Sequence, residues 1–296
     1  MLAVAALAAL VFTAPAQANA NRTFVSTNGS DSNTSVNCSA SANCRTFAAA
    51  LSVTNSGGEV DVVDSGGYGA VTINQPVTIS AIGVVASITV SAGNAITINT
   101  TGNVTITGLG LHGLASGNDG ILVQQVGFLR LYNMVIENFS NDGVDFTGGT
   151  NLTVSDSKFT DNGHDGVLLN STSSRAYVQN SIFDNNAFGG CDASHGNMTV
   201  VDSSAQYNQY GFFADGGTLS LDSSRAIYNT NGIAVSGTMG INGAGALFFA
   251  RMLISDNTNA FNVDSGGTLS GSSPGTTLST PGQSTVGTPS AAQVLE

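Results

Sequence analysis

Six apolar-x-apolar pairs recur along the chain: Leu129/Leu131, Leu152/Val154, Ala176/Val178, Met198/Val200, Leu219/Leu221 and Leu247/Phe249. Their first members lie 23, 24, 22, 21 and 28 residues apart. A glycine column runs beside them, Gly120, Gly143, Gly166, Gly190, Gly211 and Gly232, with gaps of 23, 23, 24, 21 and 21. An asparagine column, Asn138, Asn162, Asn186, Asn208, Asn229 and Asn257, keeps the same step. Matching periods in three columns mean a repeat architecture. Within each repeat a short strand follows the glycine, as in Ile121-Leu122-Val123, and a second alternates apolar and polar, as in Leu152-Thr153-Val154. Bends fall at Asn133, Asp156, Asn180, Asp202 and Asp222, and a third strand leads toward the column asparagine. Period-two runs broken by Asn, Asp and Gly are strands and turns. A coil of about 22 residues with three strands cannot bury its apolar face alone, but stacked coils do so continuously. The pattern predicts an all-β, three-sided parallel β-helix. Stacked Asn side chains are expected to form amide ladders, and the glycines to supply positive φ at tight corners.

Before these repeats the alternating pairs Val60/Val62, Val71/Ile73, Val77/Ile79, Ile88/Val90, Ile96/Ile98 and Val104/Ile106 predict looser coils from about residue 58. Ahead of them, Thr46 is placed to N-cap a short helix carrying Phe47, Ala50 and Leu51 on one face. Such a helix would shield the open end of the sheets. The expected organisation is a leader over residues 1–20, a cap over 21–57, the β-helix over 58–270 and a low-complexity tail over 271–296. The leader reading rests on an uncharged apolar run from Met1 to Ala14 followed by Ala16-Gln17-Ala18 and Ala18-Asn19-Ala20. That is a secretory signal without a basic start, and no later segment is long and apolar enough to span a bilayer. A secreted, extracellular or periplasmic location follows.

Seven basic residues against 19 acidic give a net charge of −12, which repels a polyanion and argues against a nucleic-acid partner. Of the three cysteines, Cys38 and Cys44 share a short polar loop and are expected to pair, leaving Cys191 as a buried thiol.

The opening Thr23-Phe24-Val25-Ser26, Gly29-Ser30-Asp31 and Cys44-Arg45-Thr46-Phe47-Ala48-Ala49-Ala50-Leu51 resembles that of many secreted right-handed β-helix repeat proteins. So does Gly58-Glu59-Val60-Asp61-Val62, followed by Gly66-Gly67-Tyr68-Gly69 and Val71-Thr72-Ile73. These belong to the pectin-lyase-like superfamily. The resemblance covers residues 22–270 and implies right-handed coiling. It leaves activity open, because that superfamily includes lyases, hydrolases, epimerases, esterases, tailspikes and adhesins.

One column exceeds what stacking requires. The residue before the corner glycine is Asp119, Asp142 and Asp165 on successive coils, about 4.8 Å apart. Like charges so close call for a cation, raised pKa values or hydrogen bonds from turn amides. Asn-Asp-Gly and His-Asp-Gly are also simply good turn sequences. Oxygen-rich clusters suit Ca²⁺, so Asp119, Asp142 and Asp165 are the candidate metal ligands and Ca²⁺ the candidate ion, with no cofactor required. Asp142, Asp145 and Asp165 are the candidate catalytic carboxylates, since glycoside hydrolysis needs two. Asp119, His164, Asp192 and Tyr210 are candidate binding residues. Phe146, Phe188, Tyr210, Phe212 and Phe213 lie near the same corner, at least half of them expected in the core. The basic residues share no column, which argues against lyase chemistry. Gly108-x-Gly110-x-x-Gly113 lacks the helix of a dinucleotide fold, and Gly271-x-Ser273-x-Gly275 lies in the tail without a strand–turn–helix. The expected function is that of a secreted β-helix protein associated with polysaccharide or cell-surface glycan, without an assignable catalytic site. The alternatives are a polysaccharide hydrolase or lyase, and a structural or adhesive surface protein.

Overall fold

Alternation turns every second side chain inward, and the register of the strands aligns those side chains from coil to coil. Leu129 pairs with Leu152, Leu152 with Ala176, Ala176 with Met198, Met198 with Leu219 and Leu219 with Leu247. All are essentially buried, each contributing roughly 1.5–3 kcal/mol for a Val- or Leu-sized side chain. The computed structural model describes residues 19–236, 244–264, 266–272, 275–279, 284–286 and 294–295. Among these, three parallel sheets of 12, 10 and 10 strands form the walls of a β-helix. The first sheet carries strands such as Phe128–Tyr132, the second Val135–Glu137, the third Val144–Phe146, and the chain then returns to the first. The pairs before residue 120 follow the same order. Val77/Ile79 and Val104/Ile106 stack in the first sheet, and Val71/Ile73 and Ile96/Ile98 in the third.

At the N-terminal end, strand Ala20–Val25 opens the first sheet. The helix Phe47–Ser52 buries Phe47, Ala50 and Leu51, and the Thr46 hydroxyl accepts from Ala49 N at 3.2 Å. Cys38 and Cys44 form a disulfide, and Cys191 is a buried thiol. Within the expected tail, Thr277–Ser279 joins the second sheet and Ser284–Val286 the third. Residues 1–18 of the expected leader and residues 237–243 lie outside the described residues. Among the described residues, no helix is long and apolar enough to cross a membrane.

The corner columns differ from expectation in three respects. The buried amide ladder is Asn162, Asn186, Asn208, Asn229 and Asn257. Asn138 is not in it; Phe139 takes that position and donates its N–H to Asn162 Oδ1 at 3.3 Å, while Asn138 takes the left-handed conformation one residue earlier. At the first bend, Ser223 rather than Asp222 adopts positive φ, in line with Asn133, Asp156, Asn180 and Asp202. The column glycines do not supply positive φ at all. A Cβ on Gly143 would stand 2.5 Å from Gly166 O, and one on Gly166 would stand 2.7 Å from Gly190 O. Close approach of successive coils, not turn geometry, excludes a side chain there. A second ladder, unseen in the sequence, links Ser157, Ser181, Ser203 and Ser224, each hydroxyl accepting the N–H of the preceding coil.

Candidate functional site

The turn between the second and third sheets carries the Asp column. Asp119, Asp142 and Asp165 are all buried there. Each carboxylate reaches to the next coil: Asp119 Oδ1 accepts from Asn141 Nδ2 at 2.6 Å and from Asp142 N at 3.3 Å, and Asp142 Oδ1 accepts from Asp165 N at 2.8 Å. Turn amides therefore supply part of the relief that like charges require. The column ends at Gly189, because a Cβ there would sit 2.3 Å from Asp165 Oδ1.

His164 caps the column. Its Nδ1 lies 3.0 Å from Asp142 Oδ1 as a hydrogen bond and 2.9 Å from Asp165 Oδ2 at an angle outside hydrogen-bond geometry. Both Asp165 oxygens are buried without a hydrogen-bond partner. The hydrogen bond to Asp142 and the adjacent Asp165 carboxylate push the imidazole up to about 10, so it is cationic at neutral pH. Burial, opposed by His164, raises Asp165, and burial raises Asp119. Asp145 and Asp192 stand in one outward column of the third sheet with Leu168 between them. Burial and then the charges of Asp142, Asp119 and Asp165 push Asp145 up to about 7. Burial holds Asp192 well above the carboxylate range.

A row of rings continues where the carboxylates stop. Phe188 stacks on His164 with centroids 4.6 Å apart and planes within 5°. Tyr210 meets Phe188 edge-on at 5.0 Å and stacks on Phe213 at 4.6 Å. Phe146 and Phe212 belong to the core. The structure thus brings Asp119, Asp142, Asp145, His164, Asp165, Asp192 and Tyr210 to one side of the helix. The group whose ligand atoms converge is Asp142, His164 and Asp165; Asp119 stands outside it. His112 ends a strand of the second sheet and pairs with Glu137 at 2.9 Å.

Sequence reasoning missed a second feature. Phe128 aligns with Asn151 and Arg175, and Arg130 with Thr153 and Tyr177, on the outer face of the first sheet. Phe128, Asn151, Thr153, Arg175, Tyr177 and Asn197 line a shallow groove of about 250 Å³. The Arg130 guanidinium lies over the Phe128 ring at 3.7 Å. The two arginines occupy different columns, so a search for one basic column passes over them. That they lie in neighbouring columns of the same outer face, two coils apart, shows only once the register is known.

Residues 94–248 match the family model described as the right-handed β-helix region, which is more than half of the chain. The chain belongs to this family. Its fold is a right-handed parallel β-helix. Among solved structures, this β-helix protein is similar to an alginate lyase from Paenibacillus sp. str. FPU-7, at 17% identity and a TM-score of 0.68 over 90% of this chain and 99% of that one. It is similar to the A-module of the Azotobacter vinelandii mannuronan C-5 epimerase AlgE4, at 16% identity and a TM-score of 0.54 over 73% and 67%. It is similar to pectate lyase Pel9A at 16% and 0.51, over 91% and 73%. At these identities the likeness is one of fold. No curated protein sequence matches the chain.

Proposed function

We propose that this β-helix protein binds polysaccharide outside the cytoplasm, with the glycan lying along the helix axis over the carboxylate and aromatic corner. The observation that carries this reading is the ring row Phe188, Tyr210 and Phe213 abutting the Asp–His column. Rings present faces for sugar stacking, and carboxylates accept from sugar hydroxyls. The His164–Phe188 and Phe188–Tyr210 spacings of 4.6 and 5.0 Å follow the coil repeat, while buried Phe213 backs Tyr210 from the same strand, so a glycan along the axis meets one ring or carboxylate per coil. The Cys38–Cys44 disulfide supports an oxidising compartment. The excess of carboxylates over cations at this corner disfavours uronates and favours uncharged or amino sugars.

A second reading is favoured by Arg130 and Arg175. Their groove on the first sheet suits an anionic glycan, and the similar alginate lyase, pectate lyase and mannuronan epimerase are named for acidic polysaccharides. Calorimetric binding of uncharged, amino-sugar and uronate oligomers separates the two. The corner reading expects uncharged or amino-sugar oligomers to bind and Phe188→Ala or Tyr210→Ala to weaken them ~2–10-fold each. Binding confined to uronates and lost in Arg175→Ala would move the site to the first sheet. Release of reducing ends that is abolished by Asp142→Asn or Asp145→Asn would make the corner hydrolytic.

A further inference from the structure

Three atoms of metal-ligand type converge where the carboxylate column meets the ring row. His164 Nδ1 is 3.0 Å from Asp142 Oδ1 and 2.9 Å from Asp165 Oδ2. All three lie within 4.8 Å of one another. Tetrahedral bonds of ~2.1 Å place neighbouring ligand atoms about 3.4 Å apart, and the two separations from His164 Nδ1 come within about 0.5 Å of that edge.

Asp165 adds an independent observation. Its side chain is fully buried, neither oxygen accepts a hydrogen bond, and Oδ2 faces His164 Nδ1. A carboxylate buried without hydrogen bonds costs several kcal/mol unless a cation compensates it. One imidazolium serves both Asp142 and Asp165, with Asp119 and Asp145 close by. The surroundings hold this arrangement in place. Bare Gly189 leaves room for the Asp165 carboxylate, which a Cβ would meet at 2.3 Å. Phe188 stacks within 5° of the imidazole plane and fixes the ring.

We propose that Asp142, His164 and Asp165 form a binding site for a divalent d-block cation such as Zn²⁺, held through Oδ1, Nδ1 and Oδ2 respectively. An imidazole nitrogen with two carboxylates suits Zn²⁺, Mn²⁺ or Fe²⁺. Ca²⁺ prefers six to eight oxygens and gains little from the nitrogen. Asp119 is not a ligand, because its carboxylate lies outside the group whose ligand atoms converge. On binding, the ion takes the place of the Nδ1 proton, which leaves to solvent, and Nε2 keeps its own.

The test is titration of the chelator-treated full chain with ZnCl₂ near pH 7, by calorimetry in two buffers of different ionisation enthalpy. The expected result is a single saturable site whose apparent enthalpy changes with the buffer, because a proton is released. Asp165→Asn and His164→Gln are expected to weaken uptake by at least ~100-fold, while Asp119→Asn retains it. Circular dichroism establishes that each variant is folded. Zinc-edge X-ray absorption on the wild type, showing one imidazole and oxygen ligands, decides the matter if a variant does not fold. No saturable uptake, uptake undiminished in both ligand variants, or an edge spectrum without imidazole would overturn the proposal. No glycan is present in these measurements, so their failure leaves the glycan reading standing, and failure of the glycan reading leaves the metal site standing.

Discussion

Asp145 shows how one position couples the corner to pH. Its side chain is half-buried, Oδ1 has no hydrogen-bond partner, and the charges of Asp142, Asp119 and Asp165 oppose its ionisation. It titrates at about 7 in the folded chain, against roughly 3.9 for an unperturbed Asp. A group whose folded pKa is raised contributes stability that is fully present below the unfolded value and lost as pH rises through the folded one. Asp192 acts with the same sign. His164 does so at a higher range, its contribution complete below roughly 6.5 and lost as pH passes about 10. The corner therefore stabilises the fold least as the medium turns alkaline. After solvent screening is allowed for, the Asp145 share is about 1 kcal/mol, or ~2–4 °C in Tm. Thermal scans from pH 4 to 8 at fixed ionic strength are expected to show the wild type losing Tm across that window, and Asp145→Asn losing less by this amount. Parallel slopes for the two proteins would remove Asp145 from the account.

At the scale of the element, the buried amide ladder holds the turn between the second and third sheets. Asn208 Oδ1 accepts from Asn186 N at 2.9 Å and Asn186 Nδ2 at 3.2 Å, while its Nδ2 donates to Phe183 O and Asn229 Oδ1, both at 3.1 Å. Asn208→Ala leaves donors and acceptors unpaired on both neighbouring coils. At roughly 1–3 kcal/mol for each unsatisfied buried group, a net loss of about 3–5 kcal/mol is expected in urea unfolding. A loss no larger than that from an exposed substitution would show that the ladder follows the stacking rather than holding it. The same turns show how far the sequence can be read. Asn162 to Asn257 and Leu129 to Leu247 keep matching spacing, and stacked coils must satisfy that match, so the register was legible. Asp119, Asp142 and Asp165 were legible as a column for the same reason. What each residue does inside the column was not. Spacing places Gly143 and Gly166 but does not distinguish a positive φ from a close carbonyl. It places Asn138 one residue off the ladder that Phe139 enters. It does not reveal that Arg130 and Arg175 share one outer face, because that depends on two columns seen side by side.

The whole molecule is close to one-dimensional, since each coil packs on its two neighbours and on little else. Its ends are then the exposed part of the design, and the N-terminal end is closed by chain rather than by another coil. The Cys38–Cys44 disulfide closes a short loop over strand Ala20–Val25, with Phe24 N donating to Cys38 O at 2.8 Å and Cys44 N to Phe24 O at 2.9 Å. Asp31, which begins the short helix Asp31–Val36 before that loop, accepts from Arg45 N at 2.8 Å and Thr46 N at 2.9 Å, fixing the start of the capping helix. Asp64 accepts from Ser26 Oγ, Thr27 N and the Tyr68 hydroxyl, which together hold its pKa well below the carboxylate range. These contacts tie the cap to the first coils and to nothing beyond them. Closing a loop this short is worth about 2 kcal/mol in the chain-entropy model. Replacing Cys38 and Cys44 together by serine is therefore expected to lower stability by about that amount, and the loss should be local. Hydrogen exchange should quicken in Ala20–Val25, Thr54–Val62 and Val77–Ser80, while amides of coils beyond Ile121 keep their protection, because nearest-neighbour coupling dies away along a solenoid. Uniform acceleration across all coils would mean instead that the β-helix opens as one cooperative unit, and that its N-terminal cap governs the stability of the distant Asp142–His164–Asp165 corner as well.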